Sequence, residues 1–122
     1  GGIFGEGIDL MGESLTGVAA IGVGLPAVTP ERELVRGHLA ARFGTSEGFA
    51  RAYSYPGLTR VLQAAGRLLR SETDRGTLLL IDDRYANDFY RPLLPSSWGG
   101  PPYVDGPRAI ESTVERFRSG TR

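Results

Sequence analysis

The chain has 122 residues, 40% of them apolar and 23% charged, which suits one globular domain around one core and leaves no room for a second. A formal net charge of zero argues against a strongly basic nucleic-acid clamp, and the absence of cysteine excludes a disulfide, a zinc knuckle or an iron–sulfur ligand from this stretch. No apolar run approaches the roughly 20 residues that span a bilayer, and no secretion signal opens the sequence, so the expectation is a soluble, cytoplasmic parent with no membrane partner.

The first residues, GGIFGEGIDL, read as a strand end running into a tight turn, so the chain is expected to begin inside an element as a piece of a longer protein. Gly17 to Gly24 (GVAAIGVG) is a continuous β-compatible run, expected to be a strand covered on both sides and ended by Leu25 and Pro26. Thr29 is a candidate cap, Pro30 suits a first helical turn, and Leu34, Val35, Leu39 and Phe43 recur at helical spacing up to Gly44. A short helical segment from Ser46 to Ala52 follows, with Phe49 and Tyr53 on its apolar side.

Pro56 opens the clearest helix, expected to run to about Ser71. At 100° per residue, Arg60, Gln63, Arg67 and Arg70 fall on one side and Val61, Leu62, Ala65, Leu68 and Leu69 on the other. A turn at Asp74-Arg75-Gly76 leads into a buried strand, Thr77 to Ile81, and then Asp82-Asp83-Arg84. A short helix is expected over Ala86 to Leu94, with Phe89, Tyr90, Leu93 and Leu94 facing inward. The Pro/Gly loop of residues 95–107 has Trp98 and Tyr103 as candidate anchors, and a last amphipathic helix follows through Ala109, Ile110, Val114 and Phe117. Strands alternating with helices imply a mostly parallel α/β layer structure.

The most informative chemistry lies on the face Gln63-x-x-x-Arg67-x-x-Arg70, where two guanidinium groups and an amide share one stripe. Guanidinium forks match phosphate geometry and stabilise charge developing on a transferring γ-phosphoryl group. The alternative is a solvated basic face. Gly66 costs a helix about 1 kcal/mol relative to Ala, which points to close approach by a backbone or a ligand. Near the amino terminus, Gly5 and Gly7 flank Glu6, with Asp9 two residues on, at the carboxyl end of a strand where α/β sites usually lie. In isolation that cluster reads better as a tight turn. Asp82-Asp83-Arg84 suits a structural Asp–Arg pair better than a metal site, and His38 reads as a surface residue, so no metal-binding residue is assigned. All 14 basic residues of the Lys/Arg class are Arg. Base-composition bias accounts for that, but a Walker phosphate loop needs a Lys, so no complete triphosphatase site fits in this chain.

Three stretches in this order resemble the second motor domain of the XPD/DinG-type superfamily-2 ATP-dependent DNA helicases: GGIFGEGIDL at 1–10, YPGLTRVLQAAGRLLRSETDRG at 55–76 and LLLIDDRY at 78–85. The first is similar to helicase motif V and the second to motif VI, whose Gln-x-x-Gly-Arg-x-x-Arg is the specific part. The resemblance implies a RecA-like, P-loop NTPase-type three-layer α/β domain with a mostly parallel sheet, incomplete at its N-terminal side. It would occupy residues 1–94, with the loop and last helix of 95–122 packed on it.

Under that resemblance Arg67 and Arg70 act as arginine fingers toward ATP and Mg²⁺ bound mainly by the first RecA-like domain, outside this chain, and Gln63 contacts the γ-phosphate or the attacking water. Gly5, Glu6, Gly7, Asp9 and Gly66 line the nucleotide-side cleft, and Arg60 is the candidate contact to nucleic acid. The implied partners are single-stranded DNA and the first RecA-like domain of the same parent. The implied activity is ATP-driven translocation and unwinding in DNA repair or replication, with this fragment inactive alone. Many members carry an iron–sulfur cluster, whose ligands would lie elsewhere in the parent. Two other readings stand beside it: an inactive helicase-derived docking module for DNA or protein, which keeps the fold, and a different α/β nucleotide-binding enzyme with Gly2 to Gly7 as its phosphate cradle.

Overall fold

The computed structural model describes residues 17–68 and 75–120, which form two compact units divided between Asp82 and Asp83. In the first unit, strand β1 (Gly17–Ile21) is followed by helix α1 (Pro30–Phe43), helix α2 (Thr45–Phe49), a π-helical turn (Ala50–Ser54), helix α3 (Tyr55–Gly66) and strand β2 (Thr77–Ile81). The two strands pair in parallel, in a register from Gly17 opposite Thr77 to Ile21 opposite Ile81. A parallel pair needs a long crossover, and the helices supply it. The chain is thus of mixed helix and strand with a parallel sheet, consistent with part of the RecA-like layer structure expected from the sequence.

β1 is shorter and barer than its apolar run suggests. It stops at Ile21 because Gly22 and Gly24 take φ of +77° and +68°, a left-handed conformation that no strand continues through. Its side chains alternate between half-buried and exposed, with Ile21 82% exposed, so it is not covered on both sides by the described residues. Val23, just past the strand, is the most deeply buried side chain among the described residues.

α1 begins and ends where its signals place it: the Thr29 hydroxyl accepts from the Arg32 amide at 3.3 Å, Pro30 fills the first turn, and Gly44 closes the helix at φ +94°. Its apolar stripe, however, faces outward. Leu34 is 75% exposed, Val35 and Phe43 are exposed, and no residue of α1 is buried. The side that is half-buried carries Arg32, Glu33, Arg36, Leu39 and Ala40 instead. There Gly48 of α2 comes so near that an added Cβ would lie 2.7 Å from Ala40 atoms, so small residues set the crossing and polar side chains fill the space beside it.

The core of the first unit is Val23, Ala50, Ala52, Tyr53, Leu58, Val61, Ala65 and Leu68. The π-helical turn and α3 contribute to it equally, and the apolar face of α3 emerges as the spacing requires.

The second unit has less regular structure. The helix expected over residues 86–94 is replaced by two 3-10 turns, Asp83–Ala86 and Arg91–Leu93. Two residues explain this. The Asn87 carboxamide oxygen accepts from the amides of Phe89 and Tyr90, at 3.0 and 2.9 Å, and so competes with the helical ladder, while Pro92 has no amide to continue one. Of the four side chains expected to face inward only Tyr90 is buried, packing edge-on against Tyr85 and Phe89. Trp98 is half-buried in a further 3-10 turn, Ser96–Trp98, whereas Tyr103 is 69% exposed and anchors nothing. Helix α4 (Pro107–Arg118) forms as expected, with Ala109, Ile110 and Val114 half-buried, Phe117 exposed and no residue fully buried.

Candidate functional site

The residues singled out for phosphate chemistry depend on how α3 is held. Its first turn is pinned by two glycines meeting backbone to backbone: a Cβ on Gly24 would lie 2.6 Å from the Gly57 carbonyl oxygen, and one on Gly57 would lie 2.7 Å from that of Val23. Real Cβ atoms do not approach so closely, so the loop after β1 crosses α3 at a distance only glycine permits. At the other end, a Cβ on Gly76 would overlap the Leu68 side chain, which fills that space and is buried.

α3 does not start freely at Pro56. The chain is helical from Thr45 to Gly66, with the π-turn between α2 and α3. The cause is Pro56 itself. In an unbroken α-helix its amide would donate to the Ala52 carbonyl, but proline has no N–H and its ring crowds that carbonyl. The ladder widens instead, with the Tyr55 amide donating to Ala50 in an i to i−5 bond. The Ala52 carbonyl is taken by a side chain from α1, with Arg32 Nη1 donating to it at 2.8 Å.

A second tie runs beside the first. The Tyr53 hydroxyl donates to Glu33 Oε1 at 2.5 Å, and the same carboxylate accepts from Arg36 Nε and Nη2, the latter at 2.8 Å. The Arg36 hydrogen bonds first, and then the Tyr53 hydroxyl, hold the Glu33 carboxyl below the usual range, while the bond to Glu33 raises the Tyr53 phenol. The Arg32 guanidinium lies 5.8 Å from the centre of the Tyr53 ring. Neither tie was legible in a search for active-site residues. The available signal was Pro56 four positions after Ala52 in a stretch helical on both sides, which leaves one carbonyl in need of a donor.

The exposed face of α3 carries Arg60 and Gln63. The α-helix ends at Gly66, earlier than Ser71, and Arg67 and Leu68 close it with tighter bonds to the carbonyls of Ala64 and Ala65, at 3.3 and 3.0 Å. Arg67, helical in backbone and half-buried, therefore caps the helix rather than standing within it, one turn beyond Gln63. Among the described residues nothing lies within 4 Å of where a Cβ would be on Gly66, so none of them approaches the helix end on that side. Arg70, Gly5, Glu6, Gly7 and Asp9 lie outside the described residues. Among the described residues no group of three or more His, Cys, Asp or Glu is placed to hold a metal ion, and no helix is long and apolar enough to cross a membrane. His38 is exposed on α1.

Residues 1–100 match the family model of the helicase C-terminal domain. The chain belongs to that helicase family. A probable ATP-dependent helicase of Methanocaldococcus jannaschii is 34% identical over 94 residues, covering 70% of this chain and 14% of that protein. The chain thus spans about one seventh of that helicase's length. The helicase match takes in β1, β2 and the whole run from α1 to α3, and stops before α4.

Proposed function

We propose that this chain is the C-terminal motor segment of an ATP-dependent DNA helicase, in which Arg67 and Arg70 serve as arginine fingers for ATP bound by a separate first RecA-like domain. The observation that carries the reading is the face at the end of α3: an exposed Gln63 one turn before Arg67, on a helix whose opposite face is buried, within a helicase-family match. The donor set fits a polyphosphate. Planar guanidinium forks pair with phosphate oxygens, and no described residue lies within 4 Å of a Cβ on Gly66, where a ligand would sit at the helix end.

ATP with its magnesium ion supplies the phosphoryl group and the energy of the step. From this chain, Arg67 and Arg70 donate N–H groups to the γ-phosphate oxygens as negative charge develops there, and Gln63 orients the attacking water or the same phosphate. Fingers supplied from a second domain make hydrolysis conditional on cleft closure, and closure followed by reopening moves the two domains along single-stranded DNA. Gly5, Glu6, Gly7 and Asp9 relay nucleotide state to the DNA, and Arg60 contacts its backbone. The parent, a cytoplasmic enzyme of DNA repair or replication, unwinds duplexes by that translocation.

The test is ATP hydrolysis by the full-length parent with and without single-stranded DNA, comparing wild type, Arg67→Ala and Arg70→Ala after checking that each is folded. A fall in turnover of about 10³ with ATP still bound is the expected result. Wild type without DNA-stimulated hydrolysis would instead make the chain a docking module built on a helicase fold.

A further inference from the structure

We infer that Arg32 is a positioning residue for the phosphate-facing end of α3, acting through the π-turn that Pro56 imposes. The inference rests on the proposed role of Gln63 and Arg67.

A π-turn adds one residue to the helical path, so everything after it is rotated by about 100° relative to an unbroken α-helix. Arg60, Gln63 and Arg67 all lie beyond the turn, and α1 and α2 lie before it. The direction in which α3 presents those three side chains, measured against α1, is therefore set by whether residues 50–54 keep the wide turn. Pro56 makes the wide turn necessary, but it also strands the Ala52 carbonyl, which is in the core segment of the turn. Arg32 Nη1 satisfies that carbonyl from α1 at 2.8 Å and so ties the turn to a neighbouring helix. The tie has a cost of its own, because Arg32 Nε is buried and makes no hydrogen bond among the described residues. A guanidinium held in place despite that, with its plane near the Tyr53 ring, is fixed by the carbonyl it serves. The Tyr53–Glu33–Arg36 bonds fasten the same two elements one position further along.

Three variants of the full-length helicase separate positioning from plain stabilisation. Arg32→Met keeps the stem and removes the donor. Arg32→Lys keeps one charged donor. Arg32→Met combined with Pro56→Ala supplies an amide at position 56 that reaches the Ala52 carbonyl in the ordinary i to i−4 way, which heals the orphaned group but releases the need for the π-turn. The expected result for Arg32→Met is kcat for DNA-stimulated ATP hydrolysis about 10 to 10² lower, since small misplacements of catalytic groups cost that much, with KM for ATP changed by less than about twofold. Arg32→Lys recovers part of the loss. The double variant regains the melting temperature of wild type and not its kcat. Full kcat in Arg32→Met, or kcat returning together with the melting temperature in the double variant, would overturn the inference. Should Arg32→Met fail to fold, Arg32→Lys and the double variant carry the same comparison. Arg67→Ala is assayed alongside: if it too retains full turnover, the proposed function fails, whereas a loss in Arg67→Ala beside full kcat in Arg32→Met removes only the positioning role.

Discussion

Helices α3 and α4 have the same length and both follow the same kind of amphipathic pattern, yet the chain treats them differently. α3 buries Gly57, Leu58, Val61 and Ala65, is crossed by a glycine loop and is tied through Ala52 to α1. α4 buries no residue and leaves Phe117 exposed. Amphipathic spacing is enough to make a helix in either case. What gives α3 a defined direction is contacts that the spacing does not encode, and a functional face needs a defined direction.

The largest effect that would test this difference is on the chemistry at the end of α3. Arg67→Ala is expected to lower DNA-stimulated ATP turnover in the parent by about 10³, near 4 kcal/mol in the barrier, without loss of ATP binding. A matching truncation on the exposed side of α4, Arg116→Ala, is expected to leave turnover at the wild-type value. Steady-state hydrolysis measured on both variants decides whether the two helices differ in function as they do in packing.

Next in size is the glycine crossing. Gly24→Ala asks a left-handed position to accept a Cβ 2.6 Å from the Gly57 carbonyl oxygen, and neither backbone can withdraw without moving α3 off β1. Urea unfolding should show a loss of about 2–4 kcal/mol, the sum of left-handed strain and overpacking. Gly66→Ala is the counter-case, since a methyl there meets nothing among the described residues within 4 Å. It should stabilise the helix by up to about 1 kcal/mol, and any fall in turnover that accompanies it reports a ligand at the helix end.

These two glycines also show how far the sequence could be read. The helices α1, α3 and α4, both strands, the caps at Thr29 and Gly44, and the polar face with Arg60 and Gln63 follow from local spacing and turn chemistry, because local rules determine them. Gly24 reads as part of a strand, yet the strand ends before it and Gly24 meets Gly57 instead, while Gly66 reads as a site of close approach by a backbone or a ligand and no described residue supplies the backbone, since a glycine's role depends on what faces it across the fold. The exposed Leu34 and Val35 show the same limit: pattern marks a face as apolar without saying what covers it. The segment of residues 86–94 failed on competing local bonds, with Asn87 and Pro92 overriding helical spacing.

Smaller still is the pH dependence of the tie between α1 and the π-turn. Glu33 has a folded pKa below its unfolded value of about 4.3, so its contribution is complete above that pH and is lost as pH falls through the folded value. Tyr53 is shifted the other way: its contribution is complete below about 10 and is lost as pH rises through a folded value higher than that. Stability should therefore form a plateau with an acid and an alkaline edge. Glu33→Gln weakens both edges, whereas Tyr53→Phe removes the alkaline one and leaves the Arg36 share of the acid one. Urea midpoints between about pH 3 and 11 would show the two edges separating in this way.

The smallest expected effect belongs to α4, and it sharpens the comparison because it is small. Phe117 is 43% exposed, so a polar residue there removes only part of a side chain's burial. Substitutions away from a packed core, a cap or a buried charge usually change stability by no more than about 0.5 kcal/mol. Phe117→Ser is accordingly expected to stay within that range in urea unfolding. Val61→Ser, on α3 and 7% exposed, is expected to cost several times as much, since it empties a core position and buries a hydroxyl. Equal losses at the two sites would mean that α4 is held as firmly as α3, and the contrast between a helix with an assigned direction and a helix of bare pattern would no longer stand.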